Sequence, residues 1–132
     1  MTEAARVDRP ILVLGAANAF VAVAMGAFGA HALRGRLGAA PLEVWHTAVE
    51  YHLAHALGLV LVSLVSAALP GCDRVRWTAA LMTGGIALFS GSLYLMTLTG
   101  ARWLGVVTPF GGLAFLASWV LLAAAAWCPR PR

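Results

Sequence analysis

Four histidines, His31, His46, His52 and His55, are the side chains in this sequence best equipped for chemistry. The last three share one segment, WHTAVEYHLAH, with Glu50 and Tyr51. Residues three or four apart share a helix face. That spacing groups His46 with Glu50, His52 with His55, and Thr47 with Tyr51 and His55. Imidazoles on adjacent helices suit zinc, copper or iron, or serve as axial ligands to haem. A glutamate beside histidines is also fitted to relay protons, because imidazole titrates near neutral pH. The plainer alternative is a hydrogen-bond network that ties helix ends together. The candidate ligands are His31, Glu50, His52 and His55, and the group they would hold is a haem or a transition metal. The sequence has no HExxH, no CxxC pair, no GxSxG and no Walker-type loop, so a conventional enzyme active site is not expected.

Composition fixes the solvent of the scaffold that carries these residues. The chain of 132 residues is 61% hydrophobic and 11% charged, with a mean hydropathy of +0.86. Soluble domains are typically about 45–50% apolar and about 25% charged, so lipid is the expected environment. A spanning helix needs roughly 20 apolar residues. Four segments qualify, at about 11–33, 48–69, 75–99 and 104–127, with 41–50 as an interfacial start to the second. Pro10 suits the first turn of a helix, and Pro70-Gly71 stops the second segment. The first segment is too long for a signal-peptide core and is read as a helix that stays in the membrane. Short linkers make consecutive helices antiparallel neighbours. The expected fold is an all-α integral membrane four-helix antiparallel bundle, a single transmembrane domain over residues 1–132.

The hairpins of such a bundle gather polar groups into one half. His31 closes the first span, and the WHTAVEYHLAH segment opens the second. The same side receives Ser90, Ser92, Tyr94, Thr97, Arg102 and Thr108. Tyr51, Ser90, Ser92, Tyr94 and Thr108 are the expected polar network. Glu50 is costly against lipid and calls for a partner, such as Arg34, Arg36, Arg102 or a histidine. Tyr51, Trp45, Trp77 and Trp103 suit an interfacial aromatic belt. Helices in lipid associate through small residues, and Gly26, Gly29, Gly84, Gly85, Gly91, Gly111 and Gly112 are the expected packing positions. The packing they serve is within the bundle, against a second copy, or against a larger membrane complex.

Net charge is +4, and all nine basic residues are arginine. No run of five like charges is present, so a nucleic-acid partner is not expected. Arg6, Arg9, Arg74, Arg76, Arg130 and Arg132 lie on the side of the termini, against Arg34, Arg36 and Arg102 on the other. By the positive-inside rule both termini face the cytoplasm across the inner (plasma) membrane. The His/Glu cluster then lies on the non-cytoplasmic side. Cys72 and Cys128 each flank a helix end. A bridge between them is geometrically open, but they are read as two ordinary cysteines.

Four blocks carry a resemblance: GAFGAHAL from Gly26, WHTAVEYHLAHAL from Trp45, LFSGSLY from Leu88 and TPFGGLAFLASW from Thr108. In this order they resemble the domain-of-unknown-function 423 family, which includes YgdD-like inner-membrane proteins and transmembrane protein 256. The resemblance implies four spans and carries no established activity. It implies that His31, Glu50, Tyr51, His55, Ser90, Ser92, Tyr94, Thr108 and Pro109 sit at recurring polar positions. It also implies that positions 46 and 52 accept glutamine, which favours His31 with His55 as the better ligand pair. The function expected is that of a structural or accessory membrane protein. A cofactor- or ion-binding protein is the alternative, and a small transporter or channel would need oligomers to build a pathway.

Overall fold

The computed structural model describes residues 6–129. Arg130 and Arg132, counted in the charge balance, lie outside them. Among the described residues four helices are long and apolar enough to cross a membrane: α1 (Arg9–Leu33), α2 (Ala39–Ala68), α3 (Asp73–Thr99) and α4 (Thr108–Ala125), the last preceded by a 3-10 turn at Arg102–Val106. The fold is an all-α membrane bundle. The main helix pairings are α1 on α2, α2 on α3 and α3 on α4. Burial divides the four unequally. In the most apolar stretch of each span, 39% of residues are buried in α2 and 44% in α3, against 11% in α1 and 17% in α4. The central pair is therefore α2 and α3, with α1 and α4 on the outside. Phe20, Val23, Leu113 and Val120 are among the large apolar side chains left facing outward, as a lipid solvent permits.

Local chemistry sets the ends. Asp8 caps α1, its carboxylate accepting from the Ile11 N–H at 3.2 Å, and its own N–H donates to Ser66 Oγ at 2.9 Å. The second bond ties the start of α1 to the end of α2. Gly100, at φ +72°, ends α3 in the left-handed conformation that glycine adopts without strain. The helix of α2 is unbroken over 30 residues, about 45 Å at 1.5 Å per residue, so it outreaches a hydrocarbon layer of about 30 Å.

Two spans contain a π-helical turn, Gly29–Leu33 at the end of α1 and Ile86–Ser90 within α3. Such turns are rare and recur at functional positions. The first lies inside the GAFGAHAL block, and the second overlaps the start of LFSGSLY.

Close approach is concentrated at a few glycines. A Cβ on Gly15 would meet the Val60 backbone nitrogen at 2.8 Å, and one on Gly29 would meet the Trp45 ring at 2.6 Å. Gly85 sits against the Phe115 ring, Gly58 against Met82, and Gly111 against the Phe89 backbone. Gly26 and Gly112 make ordinary or slightly tight contacts. Gly84 and Gly91 do not mediate packing within the bundle: nothing lies within 4 Å of a Cβ on Gly84, and the nearest atom to one on Gly91 is the Ile86 carbonyl of its own helix.

The reading of the cysteines is corrected. Cys72 and Cys128 form a disulfide, with 6.0 Å between their Cα atoms. It clips the start of α3 to the end of α4. Trp45 is also corrected. It is 0% exposed, wedged over Gly29 rather than standing in an interfacial belt, whereas Trp77 and Trp103 are exposed.

Candidate functional site

Two histidine-centred hydrogen-bond chains lie inside the bundle, both anchored on α2. His52 and His55 are three residues apart, and both are buried. They face different neighbours.

His52 links three helices. Its Nε2 lies 3.2 Å from Asn18 Oδ1 on α1, and its Nδ1 lies 3.2 Å from the Tyr94 hydroxyl on α3. The Asn18 amide nitrogen donates to the Leu14 carbonyl at 2.8 Å, which leaves Oδ1 as the acceptor facing the ring. Nε2 therefore carries the proton. Nδ1 accepts from the tyrosine.

His55 has the opposite tautomer. The Trp119 indole N–H on α4 can only donate, and it lies 3.0 Å from His55 Nε2. Nδ1 therefore carries the proton and donates to the Tyr51 carbonyl at 2.8 Å. The Phe115 ring stacks on the imidazole with centroids 3.4 Å apart and planes 10° apart.

In both rings every nitrogen is engaged, and each arrangement is that of a neutral imidazole. A metal or haem iron needs an imidazole lone pair aimed at an open position. The only lone pair of His52 accepts from Tyr94, and that of His55 accepts from Trp119. Neither histidine can ligate without giving up a buried hydrogen bond. In this structure His52 and His55 serve as hydrogen-bond partners between and within helices.

The pairing of His31 with His55 is corrected. His31 is exposed, on the π-helical turn of α1. Gly29 packs on Trp45, which sets the level of that turn. His55 lies ten residues further along α2, about 15 Å deeper by helix rise. A hairpin puts two helix ends on one membrane side, but it does not put them at one depth. Among the described residues no three of His, Cys, Asp and Glu stand together as metal ligands.

The remaining polar positions act as helix ties. Ser90 is fully buried and donates to the Ala48 carbonyl of α2 at 2.8 Å. Ser92 and Thr108 share a hydrogen bond of 2.7 Å that joins α3 to α4. Tyr51 is half-exposed and lies against Phe89 and Phe115. With Phe89, Pro109, Leu116 and Trp119 it lines an open, mostly apolar groove of about 580 Å³ that reaches His55.

Glu50 departs from the network. It is exposed, as are His46 and Glu43 on the same face of α2. Gly26 of α1 lies beside Val49, and Gly15 beside Val60. By interpolation the middle of α1 faces α2 near Ala54, so Glu50 stands about 6 Å from the middle of the neighbouring span by helix rise. At the centre of a spanning helix an ionised side chain costs about 2.5–3.5 kcal/mol on insertion scales, and less toward its ends.

Sequence reasoning missed Asn18 and Trp119 as partners of the two histidines. Asn18 gave a signal, as the one strongly polar residue midway along the first span. Trp119 gave none that separates it from the other tryptophans.

Comparison with known proteins agrees with this architecture. A family model described as "Protein of unknown function (DUF423)" matches residues 25–112. The UPF0382 membrane protein YwdK of Bacillus subtilis is 49% identical over 115 residues, 87% of this chain and 94% of the relative. The UPF0382 membrane protein SERP0230 of Staphylococcus epidermidis is 43% identical over 86% of this chain and 92% of its own. The UPF0382 membrane protein SAB0533 of Staphylococcus aureus is 41% identical over 84% and 89%. No solved structure matches the chain. A matched stretch that runs from the π-helical end of α1 to the glycines of α4, together with these relatives, shows that this small membrane protein of unknown activity belongs to the DUF423 family.

Proposed function

We propose that this chain is a non-catalytic, cofactor-free accessory protein of the inner membrane, with its buried polar groups serving to lock four helices in register. The observation that carries this reading is the full use of both nitrogens in His52 and His55 by neighbours on other helices or by their own backbone. Polar bridges between helices in lipid contribute about 0.6–2 kcal/mol each.

The test is a purified sample in mild detergent with elemental analysis and an absorbance spectrum. The expected preparation is colourless and metal-free. His52→Gln, which keeps one donor and one acceptor, is expected to unfold within about 0.5 kcal/mol of the native protein, while His52→Leu loses about 1–2 kcal/mol. A stoichiometric metal or haem that disappears in His55→Phe would overturn the reading.

Six arginines against three support a topology with both termini in the cytoplasm. The Cys72–Cys128 pair lies on that same side. Bacterial cytosol keeps thiols reduced, so in growing cells the pair is expected as two thiols that close on isolation. Acid quenching of intact cells, followed by alkylation in denaturant, is expected to modify both cysteines without added reductant. A pair already oxidised at quenching would place the termini on the outer, oxidising side and reverse the topology.

A further inference from the structure

The two sulfurs of the Cys72–Cys128 bridge have unlike surroundings. Cys72 is 8% exposed and is the N-cap residue of α3. Its side chain makes no capping hydrogen bond there, so it leaves the first-turn N–H groups of α3 without a partner. It borders an open hollow of about 350 Å³ that Arg6, Asp8, Asp73 and Arg76 also line. The two arginines and two aspartates offset one another, and the amino end of α3 is left as the unbalanced field at this sulfur. Cys128 stands three residues beyond the end of α4, on a turn where its N–H donates to the Ala125 carbonyl at 2.9 Å. It is half-buried, more open than Cys72. It lies at the carbonyl end of a helix, where negative charge is disfavoured. Arg74 is the cation on this side, and it is engaged with the Ala124 carbonyl at 2.7 Å.

We propose that the bridge is a thiol–disulfide exchange site at which a small monothiol attacks Cys128 Sγ and Cys72 leaves as the thiolate. The inference rests on the cytoplasmic placement of the pair for its supply of thiol, but not for the chemistry at the two sulfurs.

The monothiol, as its thiolate, bonds to Cys128 Sγ while the Cys72–Cys128 bond breaks, and the electron pair goes to Cys72 Sγ. A second thiolate then attacks the monothiol sulfur of the mixed disulfide and releases Cys128, which takes up a proton. Two monothiols become one small disulfide, and the bridge gains two electrons and two protons. Access and leaving-group stability select the same direction. The attacked sulfur is the more open one. The departing sulfur is the one at a helix amino end, the place where cysteine thiolates are stabilised. Burial opposes a thiolate at Cys72, but the hollow beside it is open, and the α3 N–H groups supply the hydrogen bonds that an N-cap side chain accepts. A thiol that ionises readily leaves faster and, once free, is a weaker nucleophile for closing the bridge again. Opening removes a cross-link between residues 56 apart in the chain and leaves the Arg74 bond to Ala124 as a tie between the same two helix ends. The thiol pool therefore sets whether the outer helix α4 is clipped to α3.

The test uses the purified full chain in mild detergent with its bridge closed. Reduced glutathione is the probe. It is added in limiting amount and quenched early with acid, and the freed thiols are alkylated before peptide mass analysis. Glutathione is expected on Cys128 and the alkyl group on Cys72, about tenfold more often than the reverse, because access and leaving-group stability act together. Alkylation by iodoacetamide across a pH series gives the second measurement. Cys72 alone, in Cys128→Ser, is expected to reach half its maximal rate at a lower pH than Cys128 alone, in Cys72→Ser. Circular dichroism checks that both variants keep the fold. Three results overturn the proposal: glutathione on Cys72 at least as often as on Cys128, a bridge that glutathione opens only after the protein is unfolded, or a Cys72 midpoint no lower than that of Cys128. A pair found oxidised in quenched cells would instead reverse the topology and leave the assignment of the two sulfurs standing.

Discussion

Gly111→Ala is expected to cost about 3 kcal/mol of unfolding free energy, at the upper end for overpacking. The added methyl would collide with the Phe89 backbone nitrogen, and would lie 2.7 Å from Phe89 Cβ and 2.8 Å from its Cα. Backbone cannot rotate aside as a side-chain tip does, so α4 must move off α3. Their contact also holds Gly85 against Phe115 and the Ser92–Thr108 hydrogen bond, and both loosen with it. Gly112→Ala is the control. Its nearest neighbour is a Phe89 ring carbon at 3.8 Å, and alanine is the better helix former, so its stability is expected to stay within about 0.5 kcal/mol of native. Denaturant titration in mild detergent, followed by circular dichroism, measures both. Equal stability of the two variants would contradict the close approach of α4 to Phe89.

The contrast between these adjacent glycines shows what was legible in the sequence. The spans are written in apolar length, and the gathering of polar residues in one half is written in their positions. Rotation of each helix about its axis is not, because a lipid-facing side is as apolar as a packed one. Gly84 and Gly85 therefore look alike in sequence, yet only Gly85 meets another helix. The π-helical turn at Ile86–Ser90 adds to this, because it breaks the α-helical period by which residues on α3 would be assigned to faces. Regular spacing served better on α2. His46 and Glu50 do share an exposed face, while Tyr51 and His55 lie on the side toward α4. Depth was the other missing coordinate. His31 and His55 lie in the same half of the molecule, and the wedge of Trp45 over Gly29 is what reveals how far apart along the membrane normal they stand.

That wedge also predicts the response of α1 to its loss. The outer helix α1 packs along α2 alone, through Asp8 to Ser66, Gly15 to Val60, Asn18 to His52, Gly26 to Val49, and Trp45 under its last turn. Trp45 donates its indole N–H to the Met25 carbonyl at 2.9 Å, and its ring lies 4.7 Å from that of Tyr94 and 5.7 Å from that of Phe28. Trp→Ala in a soluble core costs about 3–5 kcal/mol, combining transfer from water with the cavity left behind. Inside a membrane bundle the transfer share largely cancels, because the alternative surroundings are lipid. What remains is lost packing around a large void and one hydrogen bond. Trp45→Ala is therefore expected to lose about 2–3 kcal/mol, slightly below the soluble range. Trp45→Phe refills much of the space without the donor and should recover all but about 1 kcal/mol. The damage should be local. Amide hydrogen exchange is expected to rise across Gly29–Leu33 and the adjoining turn of α1, while the α3–α4 pair, joined by its own contacts, keeps its protection. Exchange that rises uniformly through all four helices would mean that α1 is not attached as a separable outer element, and unchanged exchange would mean that Trp45 does not hold it.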